Sequence, residues 1–426
     1  MNALNPLIIA MFMQLNSVKN TIINNLPIKD LILKKIMTVL FLLLWFVPTV
    51  SAKISSVDKL NIDKQVQQFM AKEDIPALAI GIIQNGKVVF TAAHGVIDRQ
   101  NKQPVDQKTI FQIGSHTKAL TGMIAFELIN EGKLKLSDKV IDHLPGVFPE
   151  ASINEFKSLT IEHLMVHRSG LPTYPKNVTR IDGDAMLVRY SEEMLLEALS
   201  TIELRFSPDE KWRYSNFNYA VLGYVLSKIT NKSYAQLVKE YVADKYELSD
   251  ILANLSQNQI NTRLATPYRK DNRQVVTQPW DMGLLTPHGG AYATIEDLAH
   301  LMELQIAAYR KYNNSGVTSP LVATQIMYDT DFTQDGKKYP GLSYGVGMFE
   351  ATPEWGTSTE TVFYHGGDLD GFGSEFRFSP EHGVGVVMLT SSGGRKFIKF
   401  ATTIMNELLE IAVNNREQKT AKISTD

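Results

Sequence analysis

Three short stretches of the chain carry side chains that could together cleave an acyl bond. Ser115-His116-Thr117-Lys118 opens an apolar run through Leu120, Met123, Ile124, Phe126, Leu128 and Ile129. In a helix, residues three apart share a face, so the Lys118 amine stands beside the Ser115 hydroxyl. A serine at a helix N-terminus also meets unpaired N–H groups and the positive end of the dipole, which favour a developing alkoxide or oxyanion. Lysine ordinarily titrates near 10.4, so it acts as a base only when burial or nearby cations lower that value. Tyr214-Ser215-Asn216 precedes a second helical stretch and could present a phenol and an amide to a cleft. His365-Gly366-Gly367 follows the short apolar run Thr361–Tyr364, where glycines let a substrate backbone lie close. Each stretch alone is weak. Ser56-Val57-Asp58-Lys59, Tyr312-Asn313-Asn314 and His288-Gly289-Gly290 repeat the same patterns elsewhere, and Ser115 alone reads equally well as a helix N-cap.

The elements that must position these residues are legible from periodicity. Ser56–Lys72 has the spacing of an amphipathic opening helix, with Leu60, Val66, Phe69 and Met70 on its apolar face. Ala77–Ile83 and Lys87–Ala92 are apolar runs joined by Gln84-Asn85-Gly86, and Asn-Gly between such runs is the strongest short hairpin signal. Near the other end Thr361–Tyr364, Ser374–Ser379 and Val384–Thr390 read as strands. Lys396–Val413 follows as a closing helix and Asn414–Asp426 as a polar, fraying tail. Between these ends Ser115–Asn130, Ile161–Val166, Glu192–Leu199, Tyr219–Ile229, Tyr234–Tyr241 and Ile295–Ile306 have helical spacing or composition. Strands first, helices in the middle and strands last predict an α+β fold. Its antiparallel sheet is built from both chain ends with flanking helices, and an all-helical insertion spans about 114–285.

Composition narrows the class. Of 426 residues, 44% are hydrophobic and 21% charged, which suits a globular core. A net charge of −2 without a basic stripe argues against a nucleic-acid partner. With no cysteine there is no disulfide scaffold, thiol nucleophile or Cys-ligated zinc. Lys34-Lys35, the apolar run Ile36–Val50 and the small residues Val50-Ser51-Ala52 read as a signal peptide. The run is shorter than the roughly 20 residues that span a bilayer. Residues 1–52 are therefore assigned to a leader and 53–413 to one catalytic domain. The protein is expected to be exported, periplasmic or secreted, touching a membrane only if the leader is uncleaved.

Taken together and in order, these stretches resemble the serine β-lactamase and penicillin-binding-protein superfamily, in particular the class C β-lactamase-like branch with its D-peptidases and esterases. The resemblance rests on Phe111-Gln112-Ile113-Gly114-Ser115-His116-Thr117-Lys118, on Leu164-Met165-Val166-His167-Arg168-Ser169-Gly170-Leu171-Pro172 and on Tyr214-Ser215-Asn216. Gly289-Gly290-Ala291-Tyr292-Ala293-Thr294 and His365-Gly366-Gly367 complete it, and it extends from about Asp58 to about Val413. It implies Ser115 as nucleophile, Lys118 and Tyr214 as proton carriers, and Asn216 as orienter of the substrate amide. His365, Gly366 and Gly367 then form the substrate-binding third box, and the backbone N–H groups of Ser115 and Asp368 an oxyanion hole. No cofactor or metal is implied, and the partner is a β-lactam, D-amino-acyl peptide or related amide or ester.

The departures bear on the substrate. The third box of β-lactamases is usually Lys-Thr-Gly, whose cation and hydroxyl grip a carboxylate. His365, with an ordinary pKa near 6.5, is mostly neutral, and Gly366 has no hydroxyl. Arg395 is a candidate replacement cation, or else a solvated surface residue. Asp209 stands where relatives usually carry glycine. His163 and His167 have metal-ligand spacing on a helix, but Leu164 follows His163 where a zincin needs glutamate, so His167 is read as structural. His116 is read as pointing off the Ser115–Lys118 face. Two other functions are a carboxylesterase on the same site and a non-catalytic ligand-binding envelope protein.

Overall fold

The computed structural model describes residues 60–178, 189–275, 281–316, 318–325, 333–334 and 337–423. The leader at 1–52 and Ser56–Lys59 lie outside them. A helix α1 (Ile62–Glu73) leads into β1 (Ala77–Gln84) and β2 (Lys87–Gly95). The turn between the strands is the expected one, with Asn85 and Gly86 both at positive φ (55° and 76°). The middle of the chain contributes α2 (Thr117–Asn130), α3 (Glu192–Ser200), α4 (Asn216–Thr230) and α5 (Ile295–Ser315). Strands β3 (Leu342–Tyr344), β4 (Phe349–Ala351), β5 (Val362–Leu369), β6 (Phe372–Ser379) and β7 (Val384–Thr390) follow, and α6 (Arg395–Ile423) closes the chain. Two of these elements outrun the expectation. β5 continues through the third box to Leu369, and α6 continues past Val413, so the segment expected to fray is helical as far as Ile423.

The seven strands form one antiparallel sheet in the order β2-β1-β7-β6-β5-β4-β3, so the hairpin from the start of the chain joins the strands from its end through β1 and β7. Side chains alternate across a strand. Along β1, Leu78, Ile80 and Ile82 pack with Ile62 and Val66 of α1 and Phe397, Ile404 and Leu408 of α6. The small Ala77 and Ala79 turn to the other face, where α5 lies close through Ile295, Leu298 and Ala299. Helix α2 is buried almost all round, from Thr117 to Leu128, which marks it as a core helix rather than a surface one. This is the mixed α/β architecture expected from the order of the elements. Among the described residues no helix is long and apolar enough to cross a membrane.

One detail of register matters for the site. β4 pairs with β5 only from Val362 to Tyr364. From His365 to Leu369, β5 pairs with β6 alone among the described residues, so there the third box lies on an open strand edge.

Candidate active site

Ser115 occupies a 3-10 turn, Gly114–His116, that runs directly into α2. It is the cap residue of neither segment, so its hydroxyl is not spent on an N-cap. Thr117 does the local bonding instead: its Oγ1 donates to the Gly114 carbonyl (2.7 Å) and accepts from the Ala291 N–H (3.1 Å). Tyr292-Ala293 pairs with Phe111-Gln112, which fixes the approach to the turn. On its other side the turn is pressed against the open edge of β5. Gly114 sits at φ 54°, and a Cβ there would fall 2.8 Å from Gly367 Cα and 3.3 Å from the Asp368 nitrogen. A Cβ on Gly367 would fall 2.0 Å from the Ile113 carbonyl oxygen. Both glycines are therefore needed for the close approach, and Ser374 Oγ clamps it by donating to Ile113 O at 2.7 Å.

Lys118 is fully buried. Its Nζ lies 2.8 Å from Asn216 Oδ1, 2.6 Å from the His288 carbonyl oxygen and 3.1 Å from Ser115 Oγ. A neutral amine has two N–H bonds and one lone pair. Two of the three partners are pure acceptors and take both N–H bonds, which leaves the lone pair for the Ser115 hydroxyl. Burial holds the Lys118 pKa well below the ordinary lysine value. The Tyr214 and Tyr219 rings, 4.8 and 5.7 Å from Nζ, favour an ammonium by only about 0.5–2 kcal/mol and do not offset that loss of hydration.

Tyr214 immediately precedes Ser215, the N-cap of α4, whose Oγ accepts from Asn218 N–H (3.2 Å) and donates to Pro172 O (2.7 Å). The phenol therefore lies outside the helix, beside the Ser115 side chain with which it hydrogen-bonds, and burial pushes its pKa up. Asn216, in the first turn, gives its carbonyl oxygen to Lys118, which leaves its amide N–H groups for another acceptor. The loop in front is held from Arg168, whose guanidinium donates to Asp209 Oδ1 and O, both at 2.6 Å. Asp209 has φ 70°, the conformation in which glycine is least strained.

His365 is nearly fully buried. Its Nδ1 lies 2.8 Å from Gly366 O, an acceptor only, so the proton is on Nδ1 and the lone pair on Nε2. Burial lowers its pKa to about 3, and Nε2 has no partner among the described residues. The third box therefore offers a neutral acceptor where a cation was the alternative. A Cβ on Gly366 would fall 2.4 Å from Glu375 Oε1, so a carboxylate ion-paired to Arg377 (2.6 Å) fills the place of a threonine side chain. Asp368 is ion-paired with Lys270 at 3.2 Å. Arg395 opens α6, exposed on the wall of a cleft shared with Lys270 and Arg273.

The structure thus brings Ser115, Lys118, Tyr214 and Asn216 together and sets the His365–Asp368 edge beside them. His116 is packed rather than solvated, its ring 4.3 Å from Phe376. His163 Nδ1 accepts from Thr160 N–H in a capping box, so its position is that of a cap. His288, a decoy by pattern, supplies a carbonyl to Lys118; its only signal in the sequence is its place directly before Gly289–Thr294.

The model of the family described as Beta-lactamase matches residues 62–408. The chain belongs to the beta-lactamase family. This is a superfamily made up mostly of serine hydrolases, shared with penicillin-binding proteins. The chain is similar to Protein flp of Staphylococcus aureus strain MW2, 28% identical over 80% of this chain and 64% of that protein. It thus spans a little under two thirds of the length of these staphylococcal relatives. A Beta-lactamase of Pseudomonas fluorescens is 25% identical over 78% of this chain and 92% of its own. The fold matches that of an octameric penicillin-binding protein homologue from Pyrococcus abyssi, with TM-score 0.69, 23% identity, and 83% and 78% of the two chains covered.

The beta-lactamase site predicts its own pH dependence. A Lys118 that acts as base must be neutral, so on that reading kcat/KM on an uncharged ester is expected to rise with pH at a midpoint well below 10.5. Tyr214, raised by burial, adds no descending limb below about pH 10. An ascending limb centred near pH 10.5 contradicts this reading.

Proposed function

We propose that the protein is a serine hydrolase working through an acyl-enzyme, of the class C β-lactamase and D-peptidase type. The observation that carries it is the fully buried Lys118 Nζ set 3.1 Å from Ser115 Oγ, with Asn216 Oδ1 and His288 O as its other hydrogen-bond partners. Ser115 Oγ attacks the substrate carbonyl while its proton passes to Lys118 Nζ. The N–H groups of Ser115 and Asp368 hold the oxyanion. As the carbonyl re-forms, the bond to the leaving group breaks, Tyr214 protonates that group, and Lys118 restores the phenol's proton. Water then attacks the ester with the proton transfers reversed, releasing the acid and free Ser115. Asn216 orients the substrate amide.

The third box supports substrates without a carboxylate at its second position. His365 is neutral, and Glu375 fills the space of the missing hydroxyl. We therefore favour a D-amino-acyl amide or an uncharged ester over a penicillin or a peptide with a free C-terminal carboxylate. Kinetics on nitrocefin, a C-terminally amidated D-alanyl-D-alanine peptide and p-nitrophenyl butyrate test this. At least one of the latter two is expected to exceed nitrocefin in kcat/KM by tenfold or more, since one charge-assisted contact is worth about 1.5–3 kcal/mol. Nitrocefin turnover above both overturns the substrate assignment, and turnover of none overturns the hydrolase. On the leader sequence alone, we place the protein outside the cytoplasm.

A further inference from the structure

His167 is fully buried, at φ 64°, in the turn that follows the short helix Ile161–Met165. It holds the chain on both sides of Tyr214. Its carbonyl accepts from the Arg213 N–H at 2.9 Å, and its Nδ1 accepts from the Ser215 N–H at 3.2 Å. Its ring lies against the Tyr214 ring, with centroids 4.4 Å apart. Because the Ser215 N–H can only donate, Nδ1 carries the lone pair and Nε2 the proton, which goes to Tyr344 Oη at 3.1 Å. Tyr344 in turn bonds to Tyr219, whose hydroxyl donates to Met165 O at 2.8 Å. Every polar atom of the imidazole is committed, and burial together with Lys118 keeps it neutral.

We propose that His167 is the positioning residue for Tyr214, fixing the height and plane of the phenol against Ser115 and Lys118. This rests on the reading of Tyr214 as proton carrier to the leaving group. Its bonds to Arg213 and Ser215 hold the backbone at Tyr214, and the imidazole packed at a tilt of 39° against the Tyr214 ring limits rotation of the phenol. Neither contact touches substrate, so the effect falls on the proton transfer and not on binding. A misplacement of about 1 Å in such a group costs on the order of a hundredfold in rate.

Two variants separate the contributions. His167→Asn keeps a side-chain acceptor and tolerates positive φ, whereas His167→Phe keeps the ring and leaves the Ser215 N–H unpaired. Each is measured in the full chain on an alkyl ester and on its p-nitrophenyl counterpart, alone and combined with Tyr214→Phe. Expected is a loss of about tenfold to a hundredfold in the single-turnover acylation rate on the alkyl ester, larger in His167→Phe. The loss is smaller on p-nitrophenyl ester, whose leaving group departs unaided, with KM within about twofold. In the Tyr214→Phe background neither substitution costs more than about twofold. Equal losses on both esters, or full additivity with Tyr214→Phe, overturn the proposal and mark His167 as structural only. If Tyr214→Phe by itself leaves the alkyl ester unaffected, the underlying role of Tyr214 fails instead, and the two failures are distinct.

Discussion

Ser115→Ala is expected to lower turnover of every substrate by about ten-thousand-fold or more while leaving the fold intact. Removal of a nucleophile that acts as one unit with its base forfeits nearly all the rate that the group supplies, and what survives comes from binding and the oxyanion hole. The fold is spared because the Ser115 hydroxyl caps no helix and is partly exposed. Thr117 and Ser374 do the structural bonding around it. Thermal melting of Ser115→Ala should show a cost no larger than that of the hydrogen bonds lost to Lys118 and Tyr214, about 0.5–1.5 kcal/mol each. A variant that retains a tenth of the parental rate contradicts the assignment of Ser115.

Lys118→Met comes next in size. The rate is expected to fall by roughly a hundredfold to ten-thousandfold, the contribution of a positioned general base. Stability gives a second readout, because the Lys118 pKa is depressed on folding. Between that lowered value and 10.5 the unfolded chain holds one more proton than the folded one. Parental stability therefore rises with pH across that window, by about 1.4 kcal/mol per unit, and methionine removes the slope. The thioether donates no hydrogen bond, so the substitution also leaves Asn216 Oδ1 and His288 O without a donor, at about 1–3 kcal/mol for each, a cost independent of pH. The gap between parent and variant should thus widen as pH rises through the window. Denaturant unfolding at two pH values inside it measures this, and a gap that does not change with pH contradicts a neutral Lys118.

The parts of the fold readable beforehand are those fixed by local rules. Asn85-Gly86 supplies the two positive φ angles of a hairpin turn. The apolar run after Lys118 can only be a core helix, and Ser215 caps α4 as serines do. What escaped prediction is set by distance in space. β3 and β4, at three residues each, are too short to carry a period and form because β5 offers an edge. The extension of α6 through polar residues has no apolar stripe to announce it.

The site divides in the same way. Ser115, Lys118, Tyr214 and Asn216 could be named as candidates beforehand because the chemistry proposed for them depends on side-chain type. His288 could not, since any residue could supply the backbone carbonyl that accepts a hydrogen bond from Lys118. His167 looked like turn furniture in the sequence, and its hold on Tyr214 becomes visible only when Arg213 and Ser215 fold against it. The neutrality of His365 was expected from its ordinary pKa. Its burial and the Gly366 carbonyl that fixes its tautomer required the structure. Arg395 remained an open alternative in the sequence, and the fold leaves it exposed at the head of α6 while Lys270 takes the place beside Asp368.

Covalent trapping tests the nucleophile most directly. Incubation with an activated fluorophosphonate, followed by proteolysis and mass spectrometry, should find one adduct on the peptide containing Ser115, formed faster as Lys118 loses its proton and absent from Ser115→Ala. An adduct on another residue, or labelling undiminished in Ser115→Ala, would contradict the acyl-enzyme mechanism at this site.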